Sequence, residues 1–427
     1  MRQWFPRWIT LLLVLSVPTG AFGAGFLIFE AGGKALGSGG AFTARADDPS
    51  AIFYNPAGIA TLEGVQLYGG VSLIFTGSEF AGVDPEPGYG VKEETESLLF
   101  TPINVYATWQ FKPNLAAGLG IYNPYGLGRD WKNETVFTGR HIAHEVDLKS
   151  FYFNPTIAWQ PNEYVAGGLG IQLVYSSVDL KRYLEQWDPN GTGWLNVGTL
   201  ELDGDNTMDF GWNVGILVHP NEKWRLGLTY RSSVKVEYEG DADFTQIPTG
   251  NTALDTAVAT VFPQSQGATT QIEFPWLASF GVAFTGLERW VFEIDLNWTG
   301  WETFDALPFE FQSDPSLNQN RPQNFENKLS IRTGLAYDLT EIIELRGGYY
   351  YDPSPQPQEG LSPLLSDSDR HGLTFGGGYT PGPWVFDIYA LFVFFDERTT
   401  GGNSSDGYDG NYASYANIFG LNVGYRF

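Results

Sequence analysis

Hydrophobic and polar residues alternate with a period of two along much of this chain, most cleanly at its end. Phe419, Leu421, Val423, Tyr425 and Phe427 fall on one face of a strand, and Gly420, Asn422, Gly424 and Arg426 on the other. Such a strand, closed by a terminal aromatic, fits the last strand of a bacterial outer-membrane barrel. Alternation alone also fits a half-buried strand of a soluble sandwich. The segment from Trp290 to Trp298 separates the two. There Trp290, Phe292, Ile294, Leu296 and Trp298 alternate with Val291, Glu293, Asp295 and Asn297. About 9–11 tilted residues cross a bilayer and aromatic residues gather at its boundaries, so an apolar face capped by Trp at both ends matches a membrane.

The pattern predicts fourteen strands, near 64–76, 98–111, 115–126, 144–159, 164–183, 200–218, 223–238, 270–285, 289–302, 325–338, 342–352, 371–380, 384–396 and 413–427. An even number is what a single-chain bacterial barrel requires. The connections point the same way. Lys112-Pro113-Asn114, Pro161-Asn162-Glu163, Pro220-Asn221-Glu222, Gly286-Leu287-Glu288, Leu339-Thr340-Glu341 and Pro381-Gly382-Pro383 are tight turns. The alternate connections, roughly 77–97, 127–143, 184–199, 239–269, 303–324, 353–370 and 397–412, are long. Short turns at one end and long loops at the other are the periplasmic and extracellular sides of an all-β, antiparallel transmembrane β-barrel.

The N-terminus sets the compartment. Arg2 and Arg7 accompany a mostly apolar run from Ile9 to Val17, too short to span a bilayer as a helix, and Ala21-Phe22-Gly23 offers small residues for cleavage. This predicts a signal peptide over 1–23 and a mature chain from Ala24. The chain has no cysteine, which removes disulfides and thiolate metal sites. Aromatic residues make up 16% of it and glycines number 52, in keeping with aromatic girdles and glycine-bearing strands. The net charge of −25 argues against a nucleic-acid partner; much of the acidity falls in the long connections, where it keeps exposed loops soluble.

Residues 24–62 do not read as a strand. They hold seven glycines, at 25, 32, 33, 37, 39, 40 and 58, beside apolar patches at Phe26-Leu27-Ile28-Phe29 and Ala51-Ile52-Phe53-Tyr54. A barrel of this size leaves an open channel unless something fills it. A compact plug inside the lumen, followed by a barrel over 63–427, shields those aromatics from water.

At this point the residues resemble a family. Ala24-Gly25-Phe26, Ala46-Asp47-Asp48 and Asn55-Pro56-Ala57-Gly58, placed just before the first strand, look like the N-terminal hatch of the FadL family. These are outer-membrane transporters of long-chain fatty acids and other hydrophobic compounds. Tyr125-Gly126-Leu127 and the strand count are similar as well. The resemblance implies a ligand site at the hatch tip, formed by Ala24, Gly25, Phe26 and Phe29. It implies that Asn55, Pro56, Ala57 and Gly58 fix the hatch's return to the wall. It further implies an inward kink of the third strand at Asn123, Pro124, Tyr125, Gly126 and Leu127, through which ligand leaves sideways. Proline lacks a ladder donor; by residues alone, the run is either such a kink or the strand's end before a loop.

Lumen-facing charges are expected at Arg225, Glu293, Asp295, Arg332, Glu344 and Arg346, where they must be paired or wet. A fatty acid needs a basic partner, and Lys181 and Arg182 are the candidates; Ser176-Ser177 stands where a basic residue is expected, which leaves room for an aromatic or alkane hydrocarbon. The reading of a different class is an outer-membrane lipid hydrolase, but His141, His144, His219 and His371 have no nucleophile motif beside them. No cofactor or metal is expected. The expected partners are the hydrophobic ligand, membrane lipid and lipopolysaccharide around the wall, and the barrel-assembly machinery at Phe427. The closed barrel leaves no edge to pair, so a monomer is expected.

Overall fold

The computed structural model describes residues 25–188, 191 and 193–427; the expected signal peptide and Ala24 lie outside them. Fourteen antiparallel strands close into one barrel. They are β1 (Val65–Gly82), β2 (Ile103–Lys112), β3 (Leu115–Tyr122, resuming at Gly126–Asp130), β4 (Glu145–Asn162) and β5 (Val165–Trp187). Next come β6 (Trp194–Asp205 and Asp209–Asn221), β7 (Trp224–Arg231 and Val234–Gln246), β8 (Gln266–Phe274 and Trp276–Leu287) and β9 (Trp290–Gly300). The last are β10 (Lys328–Thr340), β11 (Ile343–Asp352), β12 (Arg370–Tyr379), β13 (Trp384–Phe395) and β14 (Gly410–Arg426). The closing seam pairs β1 with β14 along its whole length, from Gln66↔Arg426 to Gly82↔Gly410.

The alternation sorts as its chemistry demands. On β9, Trp290, Phe292, Ile294, Leu296 and Trp298 are exposed on the outside, whereas Glu293, Asp295 and Asn297 are buried in the lumen. Phe419 and Leu421 of β14 likewise face out and Asn422 faces in. Trp109, Trp159, Trp224, Trp290 and Trp384 stand exposed beside the short turns, and Trp212, Trp298 and Tyr349 mark the other boundary. These are the two aromatic belts of a membrane barrel.

Two long connections differ from expectation. β5 and β6 stay paired as far as Trp187↔Trp194, so most of 184–199 is a hairpin rather than a loop. That extension mixes Glu185, Gln186, Asn196 and Gly198 with its apolar residues, which hides the strand from an apolar count. Beyond the bilayer a strand needs only its partner's hydrogen bonds. Residues 353–369 also do not project outward. Every residue from Leu361 to Ser368 is buried, so this connection folds back over the lumen as a strap.

The N-terminal segment fills the barrel, and from Gly25 to Leu62 no residue is exposed. Its short helical turns, Gly33–Gly37, Ala51–Tyr54 and Pro56–Thr61, bury Phe29, Phe42, Phe53 and Tyr54 in mutual edge-to-face contact. Two lumenal carboxylates grip its backbone. Asp295 Oδ2 accepts the amides of Phe42 and Thr43 at 2.8 and 2.9 Å, and Glu293 Oε1 accepts those of Ala44 and Arg45 at 2.6 and 3.1 Å. Such close approach needs a wall without side chains: a Cβ on Gly227 would lie 2.0 Å from the Thr43 carbonyl oxygen. Arg45 pairs with Asp47 and Glu344, and Arg346 with Glu344 and Asp387, so these lumenal charges are compensated within the barrel.

Candidate functional site

The tip of the plug meets the break in β3. Gly25 takes φ +60°, and a Cβ there would lie 2.4 Å from the Trp301 ring, so both conformation and space call for glycine. Phe26 sits in an aromatic cage, with ring centroids of Trp301 at 4.9 Å, Phe304 at 5.2 Å, Phe274 at 6.0 Å and Tyr125 at 6.1 Å. The tip backbone pairs with the break: Ile28 N–H donates to Pro124 O at 2.8 Å, and Gly126 N–H donates to Phe26 O at 3.0 Å.

The break itself is built by Asn123, Pro124 and Tyr125. Proline has no N–H to give a ladder. Asn123 stands in for it, accepting from Ile103 N–H at 2.9 Å and donating to Ser150 O at 2.6 Å. Tyr125 turns inward, stacks on Phe274 at 4.4 Å and donates its hydroxyl to Pro275 O at 2.9 Å. Pairing between β2 and β3 therefore stops at Asn104↔Tyr122. It resumes only at the Thr95↔Trp131 bridge, flanked by Glu96 N–H to Asp130 O at 2.8 Å. Among the described residues, 97–102 and 124–129 make no backbone bond to each other, so the backbone ladder of the wall is interrupted there. A cavity of about 430 Å³ occupies the break, lined by Ile28, Ile74, Leu99, Phe100, Leu127 and Leu148. A cavity of about 150 Å³ already holds benzene, so this one is large enough for a ring or a folded acyl segment.

A second cavity lies on the lumen side. Phe26, Leu127, Leu148, Leu180, Leu202, Phe309, Leu364 and Leu365 are among its lining residues, and its free volume is about 70 Å³. Leu127 and Leu148 line both cavities, so the two adjoin. Arg182 and Arg321 line a small space next to it with Leu180, Leu202 and Phe309. Arg321 is paired with Asp406 at 2.6 Å, whereas the Arg182 side chain makes no hydrogen bond or ion pair with a described residue.

The expected site residues are thus sorted. Phe26 and Leu127 reach the lumenal cavity, and Asn123, Tyr125, Gly126 and Leu127 frame the break. Phe29 does not line the lumenal cavity; it packs inside the plug against Phe53 and Tyr54, with the Arg332 guanidinium 3.9 Å from its ring centre. Lys181 faces the opposite way from Leu180 and Arg182 and is paired with Glu145 at 2.9 Å, which removes it from the pocket. Asn55 donates to Thr43 O at 2.8 Å and to Ile216 O at 3.1 Å, linking plug to wall. Pro56 packs on Gly168, and Gly58 lies against Ala46, whose carbonyl a Cβ would meet at 2.2 Å. Ser176 is buried and hydrogen-bonded to Lys149 O and Tyr238. His141 and His144 face Glu185 and Glu134, and no metal-binding cluster occurs among the described residues. Sequence reasoning missed the strap and Arg129 beneath it. The available signal was Leu361, Leu364 and Leu365, three apolar residues in a stretch expected to face water.

An outer-membrane barrel with a filled lumen, an apolar interior cavity and an interrupted ladder in its wall defines a class that handles hydrophobic rather than hydrated molecules. Comparison with known proteins gives the family. The model of the outer membrane protein transport protein family (OMPP1/FadL/TodX) matches residues 14–427, and the chain belongs to that family. It is 25% identical to the long-chain fatty acid transport protein of Escherichia coli O6:H1 over 451 residues, covering 99% of each chain. It is 24% identical to outer membrane protein P1 of Haemophilus influenzae, covering 96% of each. The fold is also that of a Pseudomonas aeruginosa FadL homologue, with a TM-score of 0.81 at 19% identity, over 95% of this chain and 100% of that one. The Ralstonia pickettii toluene transporter TbuX gives a TM-score of 0.71 at 17% identity, over 94% and 100%. The chain is an outer-membrane transporter of hydrophobic compounds and not an enzyme.

Proposed function

We propose that this barrel takes up long-chain fatty acids and releases them sideways into the membrane. After cleavage before Ala24, residues 24–62 act as the hatch. Ligand captured at the outer rim enters the apolar cavity beside Phe26, and displacement of the tip connects that cavity with the opening at Asn123–Leu127. The observation that carries the reading is the adjoining of the two cavities at Leu127 and Leu148, directly beside the hatch tip. Each buried CH₂ gains roughly 0.8 kcal/mol, so an acyl chain favours this dry route over a wet pore. Arg182, whose side chain has no ion pair among the described residues, supplies a cation next to the cavity that draws in a carboxylate. The runner-up ligand is a neutral aromatic hydrocarbon, favoured by the almost wholly apolar lining of the lumenal cavity.

Binding of tritiated oleate to the purified, refolded chain tests this, with and without residues 24–30. Saturable binding weakened roughly tenfold or more by the deletion is expected, because the deletion removes Phe26 from the pocket. Saturable toluene binding without oleate binding would replace the fatty acid by the hydrocarbon.

A further inference from the structure

The lumenal cavity is too small for its task. Its free volume of about 70 Å³ is under half the roughly 150 Å³ that accommodates benzene. Something fills the space a ligand needs, and the strap is what does so. Leu364 and Leu365 project into the cavity from the connection between β11 and β12 and are nearly fully buried.

The same strap covers a buried arginine. Arg129 lies across the β3–β4 ladder from Val146, which lies across from Leu180, which lies across from Leu202, and those three line the cavity. Arg129 therefore continues that lumenal row at its end. It is 3% exposed and has no ion pair with any described carboxylate. One terminal nitrogen, Nη1, donates to Ser366 Oγ at 3.1 Å and to Pro363 O at 3.4 Å; the other, Nη2, is buried with no hydrogen-bond partner. A buried guanidinium answered by one hydroxyl and one long contact to a carbonyl is poorly compensated, since its planar fork matches a carboxylate. Trp131 holds the strap's turn in place by donating Nε1–H to Pro363 O at 3.1 Å.

We propose that the strap occupies the place of the ligand. Pro363 O and Ser366 Oγ hold Nη1, where one carboxylate oxygen binds, and the partnerless Nη2 takes the other; Leu364 and Leu365 stand where the first part of an apolar tail lies. The ligand is a monocarboxylate with an apolar tail, and Arg129 is the residue that sets this specificity. Binding displaces the strap and exchanges one weak set of partners for a bidentate pair. This rests on the transport reading above and adds the seat of the carboxylate.

Two measurements on the full chain decide it. The first compares oleate with oleyl alcohol, which has the same tail and no carboxylate. The wild type is expected to prefer oleate by roughly tenfold or more, and Arg129→Gln to lose most of that ratio. Retention of the ratio in Arg129→Gln, or its loss in Arg182→Gln instead, would overturn the assignment. The second ties the strap down by Gly139→Cys with Pro363→Cys, positions in contact in a chain with no cysteine of its own. Oxidation is expected to abolish oleate binding and reduction to restore it, with the reduced form as control for crowding. Equal binding in both redox states would show that the strap does not move, and would overturn the proposal while leaving the transport reading intact. If neither oleate, oleyl alcohol nor toluene binds the heat-modifiable, folded barrel, both fall.

Discussion

Single residues do the joining in this molecule. Asn55 satisfies two backbone carbonyls at once, Thr43 O in the plug and Ile216 O in the wall, while its own oxygen accepts the Ala57 amide at 3.2 Å. Asn55→Ala leaves both carbonyls short of a donor in a place water does not reach. The expected cost is roughly 1–3 kcal/mol of local stability. It should appear as faster hydrogen exchange over residues 42–57; unchanged protection would place the grip elsewhere, with Glu293 and Asp295 the next candidates. The sequence pointed to this residue through the resemblance of Asn55-Pro56-Ala57-Gly58 to the hatch motif of the FadL family. Glu293 and Asp295 were legible only as lumenal charges. That they hold four plug amides depends on the plug's path through the barrel, which no pattern of alternation contains.

At the scale of elements, period-two alternation found every strand that touches lipid and lost those parts that do not. β5 and β6 continue past the bilayer through Glu185 and Gln186 and through Asn196, Gly198 and Thr199, so these ends resembled a loop. The strap was lost for the opposite reason: its apolar residues are too few and too irregular to show a period. Its docking carries a pH dependence. Burial pushes the Asp367 carboxyl up to about 7, against the opposing pull of Arg370 and Arg398. A carboxyl whose pKa is raised in the docked state binds its proton more tightly there. Docking is therefore favoured at low pH and loses that advantage as pH rises from about 4 through about 7. Hydrogen exchange over 361–368, corrected for intrinsic rate, should be slower at pH 5 than at pH 8, and Asp367→Asn should flatten the difference. Equal protection at both pH values in the wild type would contradict it.

For the whole molecule, the barrel keeps two routes apart. The axial route is closed by a plug from one end and a strap from the other, and no residue of the plug between Gly25 and Leu62 is exposed. The lateral route is interrupted only by side chains and by the hatch tip, because 97–102 and 124–129 share no backbone bond. On the proposed lateral route, a hydrophobic molecule enters the bilayer without the plug leaving. The most direct test restores the wall. Asn123→Val with Pro124→Thr returns an N–H and two strand-forming residues to the break, so that β2 and β3 can zip across the opening. Tritiated oleate uptake would be measured in cells whose own long-chain fatty-acid transporter has been replaced by this chain. Uptake is expected with the wild type and to fall at least tenfold in the repaired variant, while the variant still binds oleate. Undiminished uptake by the repaired variant, or none by the wild type, would contradict the account.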